Sequence, residues 1–345
     1  MAAAAHGVLV PVLQDLPDII PPECVDTGVA LVEAAYTAAH DALPDDAATA
    51  EGVALGQQAA AAILARRADD GADTLMVDPD YPQGVEPGEY RFTPDTPFAF
   101  APGWGDVTPF VLHDAAQFGS RRPHQLTSQQ YTRDFDEIKR LGGDGTTTPS
   151  ERTADQTESA LFWLESSPLM WNRIARTVAT AEGLDPWESA RLFALLNMAM
   201  ADGYVGTFAA KYDHNFWRPV TAIQLAADDG NPNTAPDPTW TPLITTPPIP
   251  DHDSGHAVQG GAAAEVFRRF FGADDIAFEI CSHTLPEGQR CADTTPVLRS
   301  FDGFTAAAAE NAESRILVGF HFRNAVDDGQ HIARRAISQY LRPVS

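Results

Sequence analysis

Apolar residues recur at helical spacing over most of this chain, and alternating strand-like runs are scarce. Residues 25–41 and 45–69 predict two helices joined by a short turn at Leu43-Pro44. Pro44 suits a helix start and Gly71 a helix end. From 72 to 125 the pattern is lost. Pro79, Pro82, Pro87, Pro94, Pro97, Pro102 and Pro109 forbid a long helix, so this stretch reads as a long ordered segment wrapping a larger body. Helical spacing returns at 127–142, 151–165, 168–182 and 186–211. In the last of these, Leu192, Leu195, Leu196, Met198, Met200, Val205 and Phe208 cover too much of the surface for a one-sided helix, which predicts burial within a bundle. A second Pro-rich loop spans 228–253. Helices follow near 254–271 and 303–341, the latter broken near Asp327-Asp328-Gly329, and the first ten residues also read as part of a helix. The prediction is an all-α helical bundle with long Pro-rich loops. Residues 1–125 read as a helical hairpin and wrapping segment, and 126–345 as a helical bundle, as two regions or as one continuous domain.

Composition narrows the partners. The 345 residues carry 23 Lys and Arg against 48 Asp and Glu, a formal charge of −25. Nucleic acid and anionic membrane surfaces would repel such a chain. No run approaches the roughly 20 apolar residues that span a bilayer. The start lacks a basic segment, and Pro11 and Asp15 interrupt its apolar stretch, so it is a poor signal peptide. A cytoplasmic location is one expectation, export with a segment absent from this chain the other. Cys24, Cys281 and Cys291 are read as free buried thiols, with a Cys281–Cys291 bridge as the alternative.

Against this acidic background, three segments concentrate cations. They are Lys211 to Arg218-Pro219, Ser254-Gly255-His256, and Ser314-Arg315 followed by His321. Lys211, Arg218 and Arg315 neutralise charge, the two arginines with forked hydrogen bonds. Ser254 is a favoured N-cap, and a helix N-terminus offers free N–H groups to an anion, with Gly255 allowing close approach. One imidazole can bond a central atom and the other can move a proton. The set suits a tetrahedral or trigonal-bipyramidal oxyanion such as phosphate or vanadate. Taken alone, Ser254 to His256 would be an ordinary capped helix and His321 a core residue of a helix. Their shared spacing with the cations favours a site. Phe216 and Trp217 read as packing residues.

These blocks resemble the superfamily that joins vanadium-dependent haloperoxidases with type 2 phosphatidic acid phosphatases and bacterial acid phosphatases. Its pattern is Lys, six residues, Arg-Pro; then Ser-Gly-His; then Ser-Arg, five residues, His. Residues 64–71, 152–158, 171–176, 191–196 and 231–240 are similar to the soluble bacterial haloperoxidase-like branch. The resemblance implies that His321 bonds vanadium or attacks phosphorus. It makes His256 the acid–base partner, and Ser254 and the Gly255 amide donors to the equatorial oxygens. Lys211, Arg218 and Arg315 offset the charge. The implied activity is oxidation of bromide, or chloride, by hydrogen peroxide on vanadate; an organic acceptor as a further small-molecule substrate and a homodimer as the assembly are left open. The alternative is a phosphomonoesterase with a phospho-His321 intermediate.

The chain also departs from the pattern. Ala325 stands where the phosphatases carry an Asp, so another carboxylate or carbonyl must orient His321, with Asp155 or Glu158 as candidates. Ile249 and Phe208 replace residues that are often aromatic or His, and Trp, in the haloperoxidases, which weakens the expectation of chloride oxidation most. His214 and His252, flanked by Asp213, Asp251 and Asp253, form a second cluster that reads as solvated loop residues, a proton relay or an alternative metal site.

Overall fold

The computed structural model describes residues 1–16, 20–117 and 119–337, and the side chains of these except 334–337. The predicted helical stretch 338–341 lies outside the described residues. The chain divides into two compact units, residues 1–76 and 77–345, which places the Pro-rich stretch from 77 onward with the larger unit.

The smaller unit holds α1 (Ala2–Gln14), α2 (Pro22–Asp41) and α3 (Ala47–Arg67). Pro22 supplies a helical φ at the first position of α2, and the Asp46 side chain caps α3 by accepting from the Thr49 N–H. Small residues set the spacing between α1 and α3: a Cβ on Gly56 would lie 2.9 Å from Ala3 Cβ. Few side chains are buried, and Leu31 and Leu55 remain 67% and 63% exposed.

The larger unit begins with irregular chain. It is punctuated by a short antiparallel pair, β1 (Val77–Asp78) with β2 (Ala99–Phe100), and a 3-10 turn at Trp104–Asp106. Then come α4 (Gln129–Leu141), α5 (Ala154–Phe162), α6 (Ser167–Ala181), α7 (Pro186–His214) and the short α8 (Pro219–Gln224). Capping boxes at Thr153/Gln156 and Asp185/Glu188 fix the starts of α5 and α7. After the second Pro-rich loop come α9 (Gly255–Phe271), a hairpin-like pair β3 (Phe278–Ile280) and β4 (Arg299–Phe301), then α10 (Phe304–Leu317) and α11 (Arg323–Ile337).

Helix α9 is the hub, packed against α7, α10 and α11. One side of the core stacks Trp171, Phe267 and Phe304; the other gathers Trp217, Trp240, Phe135 and Ile316, all essentially without solvent contact. Trp217 is thus a packing residue, with Phe216 partly buried beside it. Helix α7 is the one described helix long and apolar enough to cross a bilayer by length and composition. Its buried Asp202 and Lys211, and its packing against α6 and α9, mark it instead as a core helix.

Two expectations are corrected here. The C-terminal helical region does not break at Asp327-Asp328-Gly329, which lies within α11. It breaks at Gly319, whose φ of +86° ends α10 in a left-handed turn. The Phe320 N–H then reaches back to the Arg315 carbonyl at 3.0 Å. Gly329 serves close packing instead: a Cβ there would lie 2.9 Å from the Ser254 carbonyl oxygen. The cysteines are the second correction. Cys281 and Cys291 form a disulfide with Cα atoms 5.2 Å apart, and the free Cys24 is exposed, not buried.

Candidate active site

Four short stretches close around one pocket. They are the end of α7 with the turn into α8, the Pro-rich loop leading into α9, the turn after α5, and the α10–α11 linker. Lys211 lies in the last turn of α7, where the helix dipole favours a cation. Asn215 caps that helix at a φ of +45° and turns the chain. Arg218, extended before Pro219, then points back into the bundle.

The cations are held largely by backbone carbonyls. Lys211 Nζ donates to the carbonyls of Pro250 and Asp251, both at 2.8 Å. Arg218 donates from Nε to Ile249 O at 2.6 Å and from Nη1 to Phe320 O at 2.9 Å. Arg315 donates to Trp163 O at 2.8 Å and to its neighbour Ser314 Oγ. The Pro-rich run explains the supply. Prolines have carbonyls but no N–H, so Pro247 to Asp251 offers more acceptors than its own donors can use. All three cations are at most 1% exposed. Burial holds the Lys211 ammonium well below its ordinary range, with the Arg218 charge adding to the effect. Burial also lowers Arg218, and brings Arg315 down to about 9 with help from Arg218.

His321 lies in the linker between α10 and α11, not inside a helix as its spacing suggests; Gly319 is the reason. Its Nδ1 is 2.9 Å from Asp251 Oδ1, and its Nε2 is 3.0 Å from Arg218 Nη1. A carboxylate accepts and a guanidinium donates, so Nδ1 carries the hydrogen and Nε2 the lone pair. Burial, then the Arg218 and Lys211 charges, keep this imidazole neutral far below its usual range. Asp251, fully buried, is pushed up to about 6 by burial, against the pull of Arg218 and Lys211. The orienting carboxylate is therefore Asp251. Asp155 and Glu158, the candidates from the sequence, pair with Arg299 instead.

Ser254 takes the N-cap position of α9 without a side-chain cap bond, and Gly255 and His256 lie in its first turn. The His256 Nε2 faces the Glu165 carbonyl at 3.3 Å. A carbonyl only accepts, so Nε2 carries the hydrogen and Nδ1 is the nitrogen free to take or give a proton. Burial lowers this imidazole well below its usual range, and Arg315 lowers it further; the cations act in the expected direction but rank second. Gly255 and His256 keep some solvent exposure while Lys211, Arg218, Ser254, Arg315 and His321 are buried, so solvent meets the pocket along the first turn of α9.

Two donors are left over. The Ser254 hydroxyl and Arg218 Nη2 are among the buried side-chain atoms with no partner among the described residues, and both lie at the site. The first-turn amides of α9 add free N–H groups, and a Cβ on Gly255 would meet nothing closer than Tyr204 at 3.5 Å. Unused donors, cations held by neutral dipoles and a lone pair at His321 Nε2 fit a tetrahedral oxyanion.

The second histidine cluster does not form a metal centre. His252 Nε2 is 3.3 Å from Asp328 Oδ2 and its ring meets His214, and no group of three ligand side chains gathers among the described residues. Phe208 is fully buried against Tyr204 and Phe100, while Ile249 contributes its carbonyl. Asp251, Trp163 and Glu165 were not singled out from the sequence as parts of the site. The last two act through backbone atoms, which leave no mark in the residue type.

Fold and site together show a helical bundle that gathers three buried cations, a free hydroxyl and two imidazoles. Residues 191–342 match the family described as the VCPO second helical-bundle domain. The chain is 27% identical over 308 residues to a vanadium chloroperoxidase of Curvularia inaequalis; the alignment takes in 72% of this chain and 48% of that protein, so the chain spans about half the length of this curated relative. The crystal structure of a bacterial vanadium-dependent iodoperoxidase superposes with a TM-score of 0.75 at 25% identity, over 98% of this chain and 78% of that one. A holo-type bacterial vanadium-dependent chloroperoxidase gives 0.67 at 17% identity, over 98% and 80%, a likeness of fold.

Proposed function

We propose that the chain is a vanadate-dependent haloperoxidase that uses hydrogen peroxide and a proton to convert halide to hypohalous acid and water. The observation that carries this reading is the placement of His321, its Nδ1 against Asp251 on one side and its Nε2 faced by Arg218 on the other. When bound, vanadate supplies Lewis acidity toward peroxide without a change of oxidation state. His321 Nε2 would bond its central atom. Lys211, Arg218 and Arg315 offset the charge, and the Ser254 hydroxyl and Gly255 N–H donate to its oxygens. His256 holds and moves the reaction's proton at Nδ1.

Halide, peroxide and an organic acceptor are the expected small-molecule substrates, and a homodimer the expected assembly, checked by its mass in solution. The Cys281–Cys291 bridge favours an oxidising compartment. The deciding assay uses one vanadate-free preparation in two halves. One receives vanadate, peroxide, bromide and a phenolic dye, and the other a phosphate ester. Bromination of the dye with slow, vanadate-blocked hydrolysis supports the reading. Fast hydrolysis without halogenation at any pH would replace it with the phosphatase.

A further inference from the structure

We infer that Glu165 is a positioning residue for His256 and that the Cys281–Cys291 bridge holds the same strap, residues 161–165, behind the pocket. The strap presents two carbonyls forward: Trp163 O accepts from Arg315 at 2.8 Å, and Glu165 O faces His256 Nε2 at 3.3 Å. Both are backbone atoms, so their aim depends on what grips the strap from behind.

That grip comes from the loop beginning at Cys281. Ser282 Oγ donates to Phe162 O at 2.7 Å, and Thr284 Oγ1 to Leu161 O at 2.8 Å. The Glu165 carboxylate, 7% exposed, accepts the His283 N–H at 3.1 Å on Oε2 and pairs with Arg173 through Oε1. Arg173 in turn places Nη1 3.0 Å from Cys291 Sγ. The disulfide closes this loop ten residues apart in sequence, and the Cys291 N–H returns to Ser282 O at 3.0 Å. One ion pair and one covalent bridge therefore converge on the strap whose carbonyl selects the His256 tautomer. An outer-shell partner of this kind tunes a functional histidine without touching the ligand.

The inference rests on the haloperoxidase reading only for its activity assay, so the test has two readouts. The first is nitrogen NMR of the His256 ring in the vanadate-free protein. The wild type should show the Nε2–H tautomer alone, and Glu165→Gln, which keeps the shape but loses the charge, should show a mixture of tautomers. The second is turnover of the vanadate-loaded protein. Glu165→Gln should lower kcat about 10-fold while bromide KM and vanadate Kd change far less. Opening the bridge by Cys281→Ser with Cys291→Ser, in a Cys24→Ser background, should lower kcat similarly. Combined with Glu165→Gln it should add nothing, because both act through one strap. If the serine pair does not fold, thiol reduction of the Cys24→Ser protein replaces it. A folded Glu165→Gln with an unmixed tautomer and wild-type kcat overturns the proposal, as do losses that simply multiply. A wild type that halogenates nothing removes the haloperoxidase reading, while the tautomer measurement still decides the strap.

Discussion

The two flanks of the pocket hold their imidazoles by different means. On the His321 flank an ionisable side chain, Asp251, takes the Nδ1 hydrogen at 2.9 Å and Arg218 faces the other nitrogen, so both ring atoms are engaged. On the His256 flank a backbone carbonyl takes the Nε2 hydrogen at 3.3 Å, and Nδ1 is left free beside the solvent-facing first turn of α9. A ring whose Nδ1 hydrogen is held by a carboxylate suits a permanent bond at Nε2, for which Arg218 must yield that lone pair to the ligand. A ring fixed at one nitrogen suits a group that changes its protonation in each cycle. The difference separates anchoring from proton transfer, and each can be broken alone.

The largest effect is expected from His321→Ala. Removing the Nε2 lone pair should abolish tight vanadate binding while the fold persists, read as equilibrium affinity and circular dichroism of the same sample. Unchanged affinity would assign the bond to another group. His256→Ala should leave vanadate bound but lower bromide-dependent turnover about 10²- to 10⁴-fold, the usual worth of a positioned acid–base group. If activity survives, His252 or His214 carries the proton instead. Asp251→Asn comes next. The amide keeps the shape but can present its NH₂ to Nδ1 and shift the tautomer, so vanadate affinity should fall about 10- to 100-fold, measured by titration. An unaffected affinity would show that Arg218 alone orients the ring.

The smallest effect concerns pH and stability. His256 is neutral in the fold well below its ordinary range, so the unfolded chain takes up its proton first as pH falls below about 6.5. Its contribution to stability is therefore present at neutral pH and lost on the acid side. The carboxyls of Asp251 and Asp253, raised to about 6 by burial, act in the opposite sense. Comparing wild type with His256→Gln cancels their part. The variant should lose stability less steeply below pH 6.5, by up to about 1.4 kcal/mol per pH unit, as denaturation midpoints between pH 5 and 8 would show. Parallel curves would mean that His256 titrates alike in the folded and unfolded chain.

Much of this pocket was legible in the sequence because its working groups are side chains at fixed spacings: Lys211 to Arg218, Ser254 to His256, Arg315 to His321. Most helices were legible from periodicity, within a few residues at their ends; the short α8 was not, and the break between α10 and α11 was placed some eight residues too late. The rest was hidden for physical reasons. Trp163 and Glu165 act through carbonyls that every residue possesses. Asp251 looked like one of several loop carboxylates, because its partner lies 70 positions away. The apolar pattern runs through Val318-Gly319-Phe320 without a pause, so the left-handed turn at Gly319 could be found only by weighing the glycine above the periodicity. The glycine at 329 pulled the other way: it looked like a breaker and proved to be a contact. Cysteine pairing depends on distance in space, which spacing along the chain does not give.

The carbonyl-lined wall has a further consequence for stability. Dipoles hold Lys211, Arg218 and Arg315 in place without cancelling their charge; among the described residues Asp251 approaches Arg218 at 4.0 Å, and Asp251 and Asp253 offset only part of the Lys211 charge. Uncompensated charge in a water-poor interior raises the free energy of the folded state. An anion that enters relieves this self-repulsion, and anything bound only by the folded form shifts the unfolding equilibrium by mass action, about 2.7 kcal/mol at a hundredfold excess over Kd. Phosphate in a buffer would then act as a stabiliser and as a competitor at once, and the resistance of this fold to heat would report the occupancy of its pocket.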